Sequence, residues 1–62
     1  MNDGAPSIPL ADQIGCVRRE IAMRERVYSK WVNAGRMKAE AAEREIAVMR
    51  AVLKTLLSLQ SP

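Results

Sequence analysis

The fold of this chain is decided by a short stretch near its middle, Asn33-Ala34-Gly35-Arg36-Met37-Lys38. Glycine adopts the left-handed backbone conformation that ends many helices, so Gly35 is the strong internal stop signal. The stretches before and after it are rich in Arg, Glu, Met and Ala, which favour helix. The sequence therefore predicts one helix on each side of this glycine.

Helix one is predicted over about residues 10–34. Pro9 suits the first helical turn, where its missing N–H costs nothing, and Asp12 complements the positive end of the helix dipole. Residues 1–9 contain two of the three prolines and show no periodicity. We expect them to form a flexible N-terminal arm.

Helix two is predicted over about residues 37–59. The acidic residues Glu40 and Glu43 belong near its positive N-terminal end. Because the connection is short, the two helices should lie side by side as antiparallel neighbours. We therefore expect a single all-α domain, a helical hairpin over residues 10–60.

Each predicted helix carries two apolar stripes when its residues are projected at about 100° per residue. The main stripe of helix one contains Leu10, Ile14, Val17, Ile21, Tyr28, Trp31 and Val32, and its second stripe contains Cys16, Met23 and Val27. The main stripe of helix two contains Ala39, Ala42, Ile46, Met49, Leu53, Leu56 and Leu57, and its second stripe contains Ala41, Val48, Val52 and Leu59. Glu20 and Arg24 lie between the stripes of helix one with the spacing of an ion pair.

Two stripes per helix predict two interfaces, one within the hairpin and one with another chain. A core of this size rarely stabilises a fold without disulfides or oligomerisation, and a lone cysteine cannot form an intrachain disulfide. The expected solution is a homodimer that forms an antiparallel four-helix bundle. Its dimer or partner interface is predicted to contain Met23, Val27, Tyr28, Trp31, Val48 and Val52. The alternative is a monomer whose second stripes are partly exposed, since much of any protein surface is apolar.

Composition argues against an enzyme. The 62 residues include no His, the commonest general base and metal ligand, and one cysteine, expected to be a half-buried thiol. Glu40, Glu43 and Glu45 lack a second acidic cluster or a His, so we expect a solvated helix start and no metal or cofactor. The lone cysteine, the absence of a basic and apolar leader, and the absence of a long apolar run predict a cytoplasmic protein without a membrane span.

Positive charge is concentrated in helix one and the turn, although the net charge is only +3. Arg19, Arg26 and Lys30 fall within a narrow arc opposite the main stripe, and Arg36 follows in the turn. We name these four residues the basic stripe. It could contact an acidic patch on a protein partner or follow a phosphate backbone, although no DNA- or RNA-binding motif accompanies it.

Two segments carry a resemblance: RERVYSKWVNAGRM at 24–37 and AEREIAVMRAVL at 42–53. They resemble small, mostly uncharacterised proteins of phage and prophage genomes, over roughly residues 16–57. That group has proline at the position of Ser29 and Ser or Thr at that of Lys38, so a kink in helix one and a hydroxyl cap on helix two do not carry over. The resemblance implies a phage-encoded protein acting in the cytoplasm of a bacterial host. It supplies no catalytic residues.

These observations predict a non-enzymatic interaction module that binds and modulates a host or phage protein. The alternative is a small basic accessory protein that binds nucleic acid through the basic stripe. The apolar stripes favour the first function and the charge distribution favours the second.

Overall fold

In a computed structural model that describes residues 7–60, the chain forms two α-helices joined by a short turn. Helix α1 spans Leu10–Asn33 and helix α2 spans Ala39–Ser58. They pack against each other, and residues 7–60 contain no strand, which confirms the predicted all-α helical hairpin. Each helix ends within two residues of its predicted bounds, a difference typical of fraying helix ends. Most of the predicted arm, residues 1–6, lies outside the described residues.

The turn between the helices is held by backbone hydrogen bonds at the end of α1. Gly35 has a φ of 75°, in the left-handed region that glycine adopts without a steric penalty. Its N–H donates to the carbonyl of Val32, and the N–H of Arg36 donates to the carbonyl of Trp31. This pair of bonds is the Schellman motif, which satisfies the last carbonyls of a helix. Gly35 therefore ends helix α1, as the sequence predicts.

Helix α1 begins at Leu10, as predicted, but Pro9 precedes the first turn instead of lying in it. Pro9 lies just outside the helix as its N-cap, and its carbonyl accepts the N–H groups of Asp12 and Gln13. The Gln13 side chain donates to the carbonyl of Ile8 at 2.9 Å, which ties the entering chain to the first turn. Asp12 lies in the first turn, where its charge favours the helix dipole.

Helix α2 has no capping side chain at its N-terminus. Lys38 is the N-cap, with extended backbone angles and no side-chain hydrogen bond to the helix.

We expect Lys38→Ser to raise the free energy of unfolding by about 1 kcal/mol, because the serine hydroxyl can accept a hydrogen bond from a free N–H of the first turn. Chemical denaturation measures this change. The control is Arg36→Ser, which removes the same charge from the same turn without capping; an equal gain there would show that charge removal, not capping, is responsible.

The core between the helices is thin. Among the described residues only Ile14, Ile21 and Ala42 are buried, at 5%, 8% and 7% exposure, and none is polar. Most remaining residues of the predicted main stripes are half-buried between the helices. Such a core leaves little stability to spare in a chain of this length.

Two residues are more exposed than the sequence indicates. Trp31 is 44% exposed instead of closing the core, because it lies at the edge of the main stripe. Cys16 is an exposed free thiol and not half-buried, because its stripe faces away from α2.

Candidate interaction surfaces

The second stripes are covered only in part within the hairpin. On α2, Val48 is 44% exposed and Val52 is 41% exposed, and beyond its last turn Leu59 reaches 64%. On α1, Met23 and Val27 are half-buried. Together with the exposed Trp31, these side chains form an apolar surface that packing within the hairpin does not use.

Both second stripes lie on the same side of the hairpin. Viewed along each helix from its N-terminus, the second stripe is rotated in the same direction from the main stripe. Because the two helices are antiparallel, this common direction of rotation places both second stripes on the same side of the hairpin. The ion pair between Arg50 and Glu25 provides a check. On each helix the residue of this pair is rotated from the main stripe in the direction opposite to the second stripe. The two side chains meet, so rotation in that direction also leads to one common side of the hairpin. We call the side that carries the second stripes the apolar side, and the side of this ion pair the polar side.

One charged pair lies within the apolar side. Arg24 donates to the Glu20 carboxylate at 2.5 Å and to the Glu20 carbonyl at 3.2 Å, as the spacing in the sequence predicts. The side chains are 27% and 45% exposed, respectively. The hydrogen bond to Glu20 raises the pKa of the Arg24 guanidinium above its ordinary value. The pair therefore places a neutral but polar centre between the apolar residues of α1.

The two aromatic residues mark the turn end of α1. The rings of Tyr28 and Trp31 lie 5.8 Å apart between centroids and are inclined by 30°, a favourable offset geometry. Tyr28 is half-buried against α2, whereas Trp31 is exposed at the edge of the apolar side. Tyr28, which was predicted for a partner interface, therefore also packs within the hairpin.

An open cleft of about 350 Å³ lies on the polar side near the turn. It is lined by Tyr28, Val32, Ala42 and Ile46 and by the acidic side chains of Glu25 and Glu43. Sequence reasoning missed both this cleft and the Glu25–Arg50 pair. The small residues Ala39 and Ala42 signalled a close approach of the helices, but only the register between the helices places Arg50 opposite Glu25.

The basic stripe is exposed as predicted from its position on helix one. Arg19, Arg26 and Lys30 all lie on the solvent face of α1, and Arg36 lies in the turn. Neither of the two ion pairs among the described residues uses any of them. The stripe therefore presents positive charge to solvent without compensation from the hairpin itself.

Within residues 7–60, no group of three or more His, Cys, Asp or Glu side chains is placed to hold a metal ion. Neither helix there is long and apolar enough to cross a membrane.

Comparison with known proteins adds no relative. No family model, curated protein or solved structure matches this chain. The resemblance to small phage proteins therefore stays a prediction, and any proposed function depends on the surfaces themselves.

Proposed function

We propose that this protein is a non-enzymatic interaction module that uses its apolar side as an interface with another polypeptide. The observation that carries the proposal is the group of exposed apolar side chains on one side of the hairpin, with Trp31, Val48 and Val52 each more than 40% exposed. Exposed apolar side chains that cluster on one side of a protein are typical of protein interaction sites. The thin core supports the same conclusion, because covering this side would add the burial that the hairpin lacks.

The expected assembly is a homodimer that forms a four-helix bundle. Isologous pairs are the commonest soluble oligomers, and a two-helix layer with one apolar side needs a second layer. The assembled module would bind and modulate a host or phage protein in the cytoplasm of a bacterial host, as the resemblance implies. The basic stripe lies outside the apolar side and stays available to an acidic patch on that target.

The test compares the protein with a variant in which the apolar side is disrupted, Val48→Glu/Val52→Glu. Light scattering reports self-association, and immobilised protein reports capture from a bacterial lysate. We expect self-association, capture or both to be lost in the variant and kept in the control Ala22→Glu, which places the same charge on the polar side. A monomeric protein whose captured set is identical in all three forms would contradict the proposal.

The second candidate function is nucleic-acid binding, favoured by the uncompensated charge of the basic stripe. We expect Arg19→Gln/Arg26→Gln/Lys30→Gln to fold as the original chain does, with a melting temperature within a few degrees, because these exposed side chains make no ion pair in the described hairpin. Circular dichroism measures this. A large loss of stability would show that the stripe supports the fold.

The same variant separates the two functions of the stripe. If the stripe contacts phosphates, fluorescence anisotropy with duplex and single-stranded DNA will show affinity that falls steeply with salt and is weakened in the variant. If it contacts a protein target, DNA binding will be absent and capture of the target will be lost. DNA binding that is equal in both forms would show that the stripe does not contact the phosphates.

A further inference from the structure

We infer that the open cleft on the polar side near the turn binds an arginine side chain of a target polypeptide. This goes beyond the proposed function, because the cleft lies on the side of the hairpin opposite the apolar side and does not depend on association through that side. Three properties of the cleft carry the inference: its apolar floor, the carboxylates at its rim, and the hydrogen-bonding side chains that the hairpin leaves unused.

The floor of the cleft is apolar and limited in size. It is formed by Ala42, which is buried, and by Tyr28, Val32 and Ile46, which are half-buried. The volume of about 350 Å³ is near the lower limit of ligand sites, which span about 300–1,000 Å³. The cleft can therefore take one long side chain and is too small for a whole helix.

The rim of the cleft is acidic, although the chain as a whole has a net charge of +3. Glu25 lines it from α1 and Glu43 from α2, and no Lys or Arg of residues 7–60 lines it. Arg50 bonds one oxygen of the Glu25 carboxylate, and Glu43 takes part in neither ion pair of the described hairpin. An occupant with an apolar stem and a cationic head matches this cleft, which is the chemistry of arginine and lysine side chains.

Further acceptors in the cleft favour arginine over lysine. Ser29 and Asn33 also line it, are exposed, and make no side-chain hydrogen bond among the described residues. A guanidinium offers five N–H donors in one plane and stacks on aromatic rings such as that of Tyr28. The ammonium of lysine is a compact charge with three donors, so it would use fewer of these groups.

The same charges favour an arginine within a polypeptide over the free amino acid. Free arginine carries its own carboxylate, which Glu25 and Glu43 would repel. In a polypeptide, neutral amide groups take the place of that carboxylate, and they can form hydrogen bonds with Ser29 and Asn33. The occupant is therefore a side chain presented by a target protein.

Titration of the isotope-labelled protein with N-acetyl-arginine methylamide, followed by NMR, tests this inference. We expect saturable shifts of the amide signals of residues that line the cleft, with a dissociation constant that rises with salt. The affinity should be weak, in the millimolar range, because one side chain buries little surface. The matched probe is N-acetyl-citrulline methylamide, which has nearly the same shape without the charge and should not bind.

Two variants of α2 test the role of the carboxylate. Glu43→Gln should weaken binding of the arginine derivative about threefold to fivefold, the range of an exposed ion pair. The control is Glu45→Gln, which removes the same charge from an exposed residue of the same helix outside the cleft and should leave binding unchanged. Glu43 is itself exposed, so both variants should fold as the original chain does.

The outcomes separate this inference from the proposed function. Binding of the arginine derivative that only Glu43→Gln weakens supports the site. No binding, equal binding of the citrulline derivative, or an equal loss in both variants overturns it. Tighter binding of free arginine or of N-acetyl-lysine methylamide overturns the choice of occupant. None of these results bears on the apolar side, which the Val48→Glu/Val52→Glu variant tests independently.

Discussion

Replacing Ile21 with alanine is expected to unfold most of the chain near room temperature. Ile21 is 8% exposed at the middle of α1 and is one of three buried residues in the described hairpin. Removing a buried isoleucine down to its Cβ costs about 2–5 kcal/mol. A core in this size class rarely supplies more than about 3–5 kcal/mol. The loss is therefore comparable with the whole free energy of unfolding.

Circular dichroism during thermal and urea unfolding measures this loss, and the chain itself offers a matched control. Ile8→Ala removes the same atoms from a side chain that is 55% exposed, so its free energy of unfolding should change by about 0.5 kcal/mol or less. If the two variants were equally stable, the interior of the hairpin would not lie between α1 and α2 as described.

Introducing glutamate at both Val48 and Val52 is expected to weaken the proposed dimer by about 100-fold or more, equivalent to about 2.7 kcal/mol. In a two-fold assembly each substitution occurs twice, so four new carboxylates enter the interface. Burying like charges without partners costs several kcal/mol. Glutamate is also the better helix former, so the helix itself should not be weakened.

A concentration series by light scattering, at moderate and at high salt, measures the dissociation. Fluorescence adds a second readout, because Trp31 is the only tryptophan and lies at the edge of the apolar side. Its emission should shift to longer wavelength as the assembly separates. Ala22→Glu should leave both signals unchanged. A double variant that associates as tightly as the original chain would show that Val48 and Val52 do not lie in the interface.

Local signals in the sequence were sufficient for the fold. Gly35 determines the turn through its own backbone conformation, and the spacing of apolar residues determines which face of each helix is packed. Both signals depend on residues that are close in sequence, which is why the helix bounds follow within two residues. The sequence does not specify whether Pro9 is the N-cap of α1 or part of its first turn, since proline is compatible with both positions.

The candidate surfaces were only partly accessible from the sequence. The exposure of Val48 and Val52 follows from an apolar arc wider than one neighbouring helix can cover. The Glu25–Arg50 pair and the cleft beside Tyr28 depend on the register between helices, which no local pattern specifies. Trp31 shows the limit most clearly: its stripe indicates the core, but at the edge of that stripe the ring is 44% exposed.

The placement of the described ends gives the hairpin a distinct mechanical character. Residues 7–9 and 59–60 leave together, at the end opposite the turn. A pulling force applied between them would unzip the helices one turn after another, so each step needs to break only a few contacts. The turns around Ile14 would separate first, the Glu25–Arg50 pair later, and the hydrogen-bonded turn at Gly35 last. If it were tethered to a larger body by both ends, the hairpin would yield at low force near the tether, while the tip that carries Trp31 kept its shape longest.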